Sequence, residues 1–292
     1  VNKFEISRRE LISSTATIGA ASILFPTLKL SAGDTRELKI VDTNASLFQW
    51  PFRRLPLDET ETLINKYRAL GVSEIWAGSY EALLHRDLVG VNERLAEKCH
   101  ETPELIAIGE INPALPGWER DFELCVQKHN MPGLRVHPNY HGYKLDDPSF
   151  INLLKLATEA ERFVQIAVAM EDARTQHPLV AVPDVDLAPL PGVLLDFPDA
   201  KIQILNWKPR GAITSQLLQH RGIFLDVARV DSTDGIAKLI REAPENRILF
   251  GTHAPFLIPE AAMIRVAESK LNEKELRSLL SGAAQSLNRK VL

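Results

Sequence analysis

Ile202-Gln203-Ile204-Leu205, closing on Asn206, is a near-continuous apolar run between Phe197-Pro198-Asp199-Ala200 and Trp207-Lys208. A strand covered on both faces reads this way, and both faces are covered when helices flank a parallel sheet. Lys39-Ile40-Val41 is a second such run. Working outward, short strand-like runs fall at 38–42, 74–77, 105–110, 134–137, 163–168, 202–206, 223–227 and 247–250. Helical stretches separate them, with apolar residues three and four apart, as at Leu63, Ile64, Tyr67 and Leu70. Gly71, Gly222 and Pro132-Gly133 mark stops. Strands alternating with helices imply parallel βαβ units. Eight of them in roughly 255 residues match an α/β fold of the closed (β/α)8 TIM-barrel type. An open doubly wound sheet is the alternative, but no Gly-x-Gly-x-x-Gly follows the first strand. One barrel domain is expected over 38–292.

The composition is globular, with 45% hydrophobic and 25% charged residues. A formal net charge of −4 gives no electrostatic footprint for nucleic acid or an anionic membrane surface. Two cysteines, Cys99 and Cys125, allow one disulfide at most and no Cys-rich zinc site. Both fall in expected amphipathic helices, where they read as small apolar residues.

Residues 1–32 read as an export signal. Ser7-Arg8-Arg9-Glu10-Leu11-Ile12 precedes an uncharged stretch from Ser13 to Leu28 and then the small-residue site Leu30-Ser31-Ala32-Gly33. The arginine pair resembles a twin-arginine signal, which implies a periplasmic protein. Gly19, Pro26 and several hydroxyl residues interrupt the stretch, so no integral membrane span is expected once the signal is removed.

In a (β/α)8 barrel the chemistry sits where the strands end. Polar and aromatic residues crowd those positions: Asp42 to Arg54 after the first strand, His137 to Tyr143 after the fourth, Met170 to His177 after the fifth, Asn206 to Lys208 after the sixth, and Gly251 to Pro255 after the eighth. Such a rim suits a small polar ligand.

Pro132-Gly133-Leu134-Arg135-Val136-His137-Pro138 and Gly142-Tyr143-Lys144-Leu145-Asp146-Asp147-Pro148 resemble the amidohydrolase-related family of metal-dependent hydrolases and decarboxylases. Phe197-Pro198-Asp199-Ala200-Lys201-Ile202 and Arg247-Ile248-Leu249-Phe250-Gly251-Thr252 fall at that family's sixth and eighth strands. The resemblance implies the barrel, and homodimers are common in the family. It also implies a divalent metal held by His-x-His after strand one, a His after strands five and six, and an Asp after strand eight. In this chain those positions carry Asn44 and Ser46, Ala167, Asn206 and His253. A catalytic zinc needs about three His or carboxylate ligands. Two amides, a hydroxyl, a methyl group and one imidazole do not supply them, so the expectation is no metal and no cofactor.

Asn44, Ser46 and Asn206 are then neutral donors and acceptors for a substrate. His253 is the expected acid–base group, with an imidazole near its ordinary pKa of ~6.5, and Asp42 either orients it or is a structural cap. His137 and Arg135 share one side of strand four and suit an anionic group. Arg53 and Arg54 offer a carboxylate clamp. Trp50, Tyr140 and Tyr143 offer stacking surfaces, and His141 and Lys208 complete the rim. Glu171, Asp172, Arg174 and His177 form either an acid–base set or a local ion-pair network.

Three readings follow: an exported, metal-independent hydrolase acting on a lactone or other activated ester or amide of a small acid; an inactive barrel that binds a small molecule or sugar; and a metal hydrolase whose ligands have moved to His137, His141, Glu171 and His177.

Overall fold

A computed structural model of the chain describes residues 38–288; the expected signal, 1–32, lies outside the described residues. Strands β1 (Val41–Leu47), β2 (Glu74–Ser79), β3 (Leu105–Ala107), β4 (Gly109–Glu110), β5 (Gly133–Val136), β6 (Phe163–Ala167), β7 (Ile202–Leu205), β8 (Ile223–Asp226) and β9 (Ile248–Leu249) follow in order. Neighbours pair in parallel from β1 to β3 and from β4 to β9. Only Ile108 separates β3 from β4, and its amide donates to the Ala77 carbonyl at 2.9 Å, so the two form one barrel strand. The ring closes where the Thr43 amide donates to Phe250 (3.0 Å), the His253 amide to Asn44 (2.9 Å) and the Ser46 amide to Ala254 (3.0 Å). The result is a closed eight-position parallel barrel.

The longer helices are α1 (Thr60–Ala69), α2 (Leu88–Glu101), α3 (Pro148–Glu159), α4 (Gly211–Gln219), α5 (Gly235–Glu242) and α6 (Pro259–Glu268). Helix α1 buries Leu63, Ile64 and Tyr67. Each such side chain contributes about 1.5–3 kcal/mol on leaving water. The chain leaves α1 through Gly71 at φ +74°, a left-handed turn that costs glycine nothing. Asn92 of α2 donates its side chain to the Glu110 carbonyl (2.9 Å) and accepts the Glu110 amide (2.7 Å), supplying backbone partners next to the break at Ile108.

Two expectations are corrected. The first strand runs from Val41 to Leu47, not from 38 to 42: the Asp42–Ser46 segment lies in the strand and is wholly buried. Its polar residues read as loop in one dimension, but partners from across the barrel satisfy them. A register irregularity between Asp42 and Ala45 lets consecutive side chains serve different partners. Gly133 lies inside β5, paired with Phe163, instead of stopping the chain before it, and the Phe163 ring occupies the space a Cβ would take there. Trp76 stacks on Phe163 at 5.0 Å, and both join Val41, Ile108, Phe224 and Leu249 against Ala283, Ala284 and Leu287 near the C-terminus. Cys99 and Cys125 are free thiols in the core, and burial pushes Cys99 up to about 12. Among the described residues no helix is long and apolar enough to cross a membrane.

Candidate active site

Glu110, Arg135, Gln165 and Gln203 stand in register on β4, β5, β6 and β7, all buried. Aliphatic side chains usually fill such a layer; here hydrogen bonds do. Arg135 donates from Nε to Gln165 Oε1 (2.8 Å) and from Nη1 to the Ala45 carbonyl (2.9 Å) and Ser46 Oγ (3.2 Å). Gln165 Nε2 donates to Gln203 Oε1 (2.7 Å), and Gln203 Nε2 to Thr43 Oγ1 (2.7 Å). Burial pulls the Arg135 guanidinium below its usual range, against the attraction of Glu110.

His137 lies two residues beyond Arg135. Its Nε2 is 3.1 Å from Glu110 Oε2, while Glu110 Oε1 accepts the Ser79 amide at 2.8 Å. Facing a carboxylate, Nε2 is the donor, and Nδ1 is the nitrogen that Glu110 leaves open. That Nδ1 is buried with no partner, as are Arg135 Nη2 and Trp50 Nε1. Trp50 forms the roof: its ring meets Phe256 at 4.8 Å, Phe52 at 5.2 Å, Tyr80 at 5.4 Å and Tyr140 at 6.3 Å, over Ala167 and Met170.

Asn44, Asn206 and His253 are held by bonds to their surroundings. Asn44 Nδ2 donates to Asn206 Oδ1 (2.7 Å) and to Asp226 Oδ2 (2.5 Å). Burial raises Asp226 to about 7, opposed by the Asn44 hydrogen bond. His253 Nε2 lies 2.5 Å from the Met170 carbonyl, so this nitrogen is the donor, and the ring stacks on Phe256 at 5.1 Å. Burial pushes His253 down to about 3, so the expectation of an imidazole near its ordinary pKa is corrected: at neutral pH it is an uncharged donor. Asn206 and His253 both turn the chain through left-handed backbone at φ 58°, a conformation Asn and His adopt more readily than most residues.

Asp42 does not orient His253. Its carboxylate accepts from Tyr67 (2.6 Å), the Thr252 hydroxyl (2.5 Å) and amide (3.1 Å), and the Asn44 amide (2.9 Å). Burial raises its pKa, and these hydrogen bonds oppose the rise.

A metal does not fit this donor set. Asn44 presents its NH2 group to Asn206 and Asp226, and His253 spends Nε2 on a carbonyl. Among the described residues no group of three or more His, Cys, Asp and Glu could hold a metal ion. The relocated set is not assembled either. His137 faces Glu110, and His141 Nε2 donates to the Ala82 carbonyl at 3.1 Å. Glu171 takes Arg53 at 3.0 Å, and His177 accepts the Leu179 amide through Nδ1 while stacking on Phe52.

Other rim residues disperse. Arg54 is held bidentately by Asp58 and also by Glu59, so it is no free clamp. Arg174 pairs with Asp172 in solvent, Tyr143 stacks on Phe150, and Lys208 pairs with Asp231. In the fifth loop Glu171 pairs with Arg53 of the first loop and Asp172 with Arg174, two separate ion pairs, with Arg53 over the Phe256 ring at 5.6 Å. Glu110, Gln165, Gln203 and Asp226 escaped the sequence reading. One signal was present: a lone polar residue in the middle of the apolar runs Phe163–Ala167 and Ile202–Leu205.

No protein-family model matches the chain, and no curated protein matches it in sequence. Solved structures do match in shape. A TIM-barrel protein from Bordetella bronchiseptica is 17% identical, covers 86% of this chain and 98% of its own, and has a TM-score of 0.65. The 5-carboxyvanillate decarboxylase of Sphingomonas paucimobilis is 12% identical over 87% and 100% of the two chains, with a TM-score of 0.67. A dihydroxybenzoic acid decarboxylase from Polaromonas sp. JS666, solved with manganese and 2-nitroresorcinol, is 14% identical over 86% and 97%, with a TM-score of 0.70. The fold is theirs. At these identities the likeness extends to the (β/α)8 barrel and no further.

Proposed function

We propose that this chain is a hydrolase of the amidohydrolase type that works without the metal of that family, on a lactone or other activated ester or amide of a small sugar acid or organic acid. The carrying observation is the His137 imidazole, with one nitrogen held by Glu110 and the other buried and free. A carboxylate-held imidazole is a general base. His137 Nδ1 takes a proton from water as the water oxygen attacks the carbonyl carbon. Arg135 Nη2 and Trp50 Nε1 donate to the developing oxyanion. The carbon–oxygen bond of the lactone breaks, and His137 returns the proton to the leaving oxygen. Metal independence is supported by how these positions are engaged: Asn44 bonds Asn206 and Asp226, Ser46 takes Arg135, His253 takes the Met170 carbonyl, and Ala167 offers no ligand atom. Export to the periplasm through a twin-arginine signal is part of the same proposal and rests on residues 1–32.

A second reading, an inactive barrel that binds a small molecule, is favoured by the engagement of Asp42 and His253 with neighbouring groups. A panel of lactones and activated esters, run on wild type and His137→Gln with binding followed by calorimetry, separates the two. The enzyme reading expects turnover to fall about 10²–10⁴-fold in the variant while affinity changes little. Saturable binding with no turnover by wild type transfers the case to the binding barrel.

A further inference from the structure

A cleft of about 420 Å³ opens between the start of α4 and the start of α5, beside the loops that follow β7 and β8. Four cations line it: Lys208, Arg210, Arg229 and Lys238. Of its two acids, Asp231 is already paired with Lys208 (3.3 Å) and Arg265 (2.9 Å), leaving Glu242 against the remaining positive charge. Arg210 and Arg229 make no ion pair among the described residues. Neither helix has a side-chain cap: Arg210 stands at the N-cap of α4 and Asp234 at that of α5. The Gly235 amide that opens α5 is spent on the Ser232 carbonyl (2.9 Å), so α4 is the helix that offers its first amides to the cleft, and a helix N-terminus favours an anion.

The second, independent observation is Thr214. It lines the cleft, is 8% exposed, and its hydroxyl is buried without a partner. A helical threonine usually returns its hydroxyl to a carbonyl one turn back; this one does not, although a buried unpaired hydroxyl costs free energy.

We propose that this cleft binds a tetrahedral oxyanion, the phosphate group of a small phosphorylated molecule or free phosphate. The guanidinium of Arg229 supplies the planar donors that grip it, Thr214 donates its hydroxyl, and the amides opening α4 complete the cradle. Binding here does not depend on the role read for His137.

Calorimetry with inorganic phosphate, against sodium chloride at matched ionic strength, tests it on the wild-type protein. Saturable one-to-one binding is expected, about ten-fold weaker in Arg229→Gln and roughly three-fold weaker in Thr214→Val and Lys238→Gln. In phosphate-free buffer Thr214→Val should melt with wild type, because its hydroxyl has no protein partner to lose. Lys238→Gln is a surface change that keeps the test open if a buried variant fails to fold. Citrate at the same ionic strength and a phosphate monoester form the other arms. Binding by the monoester and by phosphate alike identifies the phosphate group as the recognised element. Phosphate heats no different from chloride, citrate binding without phosphate binding, or variants that bind like wild type each overturn the assignment.

Discussion

His253 Nε2 lies 2.5 Å from the carbonyl oxygen of Met170, across the barrel mouth. The bond orients the imidazole as a donor, while burial outweighs it and keeps the ring neutral, where its position at the end of the eighth barrel strand had pointed to a base.

A pH dependence of known sign follows from that neutrality. The unfolded chain protonates His253 near 6.5, while the native ring stays neutral down to about 3. The native contribution is whole above pH 6.5 and is lost as pH falls toward 3. Between pH 7.5 and 5 wild type should lose about 2 kcal/mol more than His253→Gln. Urea unfolding of both proteins at the two pH values checks this; parallel losses would show that the native ring titrates normally.

Asp226 has the opposite sign. Its native pKa is raised to about 7 from 3.8, so its contribution is whole below 3.8 and is lost as pH rises through 7. Lowering pH from 7.5 to 5 should strengthen wild type relative to Asp226→Asn by about 2–3 kcal/mol. The same urea series reads it, and a difference that shrinks on acidification rejects the raised pKa.

Arg135→Met should destabilise the barrel by about 3–5 kcal/mol. It strips Gln165, Ser46 and the Ala45 carbonyl of a donor and leaves Glu110 without its buried countercharge. Chemical denaturation of the variant measures the loss, and a change under about 1 kcal/mol would mean the polar layer reorganises freely.

Trp50→Ala removes the aromatic roof shared with Phe52, Tyr80, Tyr140 and Phe256. The expected cost is about 3–5 kcal/mol, accompanied by new binding of a hydrophobic dye at the mouth. Unchanged melting and no dye binding would show that Trp50 does not seal the barrel.

Purified protein should contain no stoichiometric zinc or manganese by elemental analysis, and exhaustive chelation should leave its melting temperature unchanged. Near-stoichiometric metal lost together with stability would overturn the reading of Asn44, Asn206 and His253.

Much of this architecture is written in one dimension. The alternation of apolar runs with helical spacing places the strands, because burial on both faces demands continuous apolar sequence whatever the neighbours are. Gly71 marks the end of α1 because its turn is local. The presence of Asn44, Asn206 and His253 in one site is likewise legible from their places at strand ends. The first strand was less legible: Asp42, Asn44 and Ser46 look like loop until the groups that satisfy them are known.

What those residues do was decided only by tertiary structure. Asn44 meets Asp226 across 182 positions of sequence, and His137 meets Glu110 because β4 and β5 are neighbours in the barrel. Strand register selects such partners, and sequence distance carries no trace of it. Burial then sets the charge: the same imidazole that titrates near 6.5 in water is neutral at His253, and the same carboxyl that ionises near 3.8 holds its proton to about 7 at Asp226. Desolvation depends on everything packed around a group, so it comes into being only when the barrel closes.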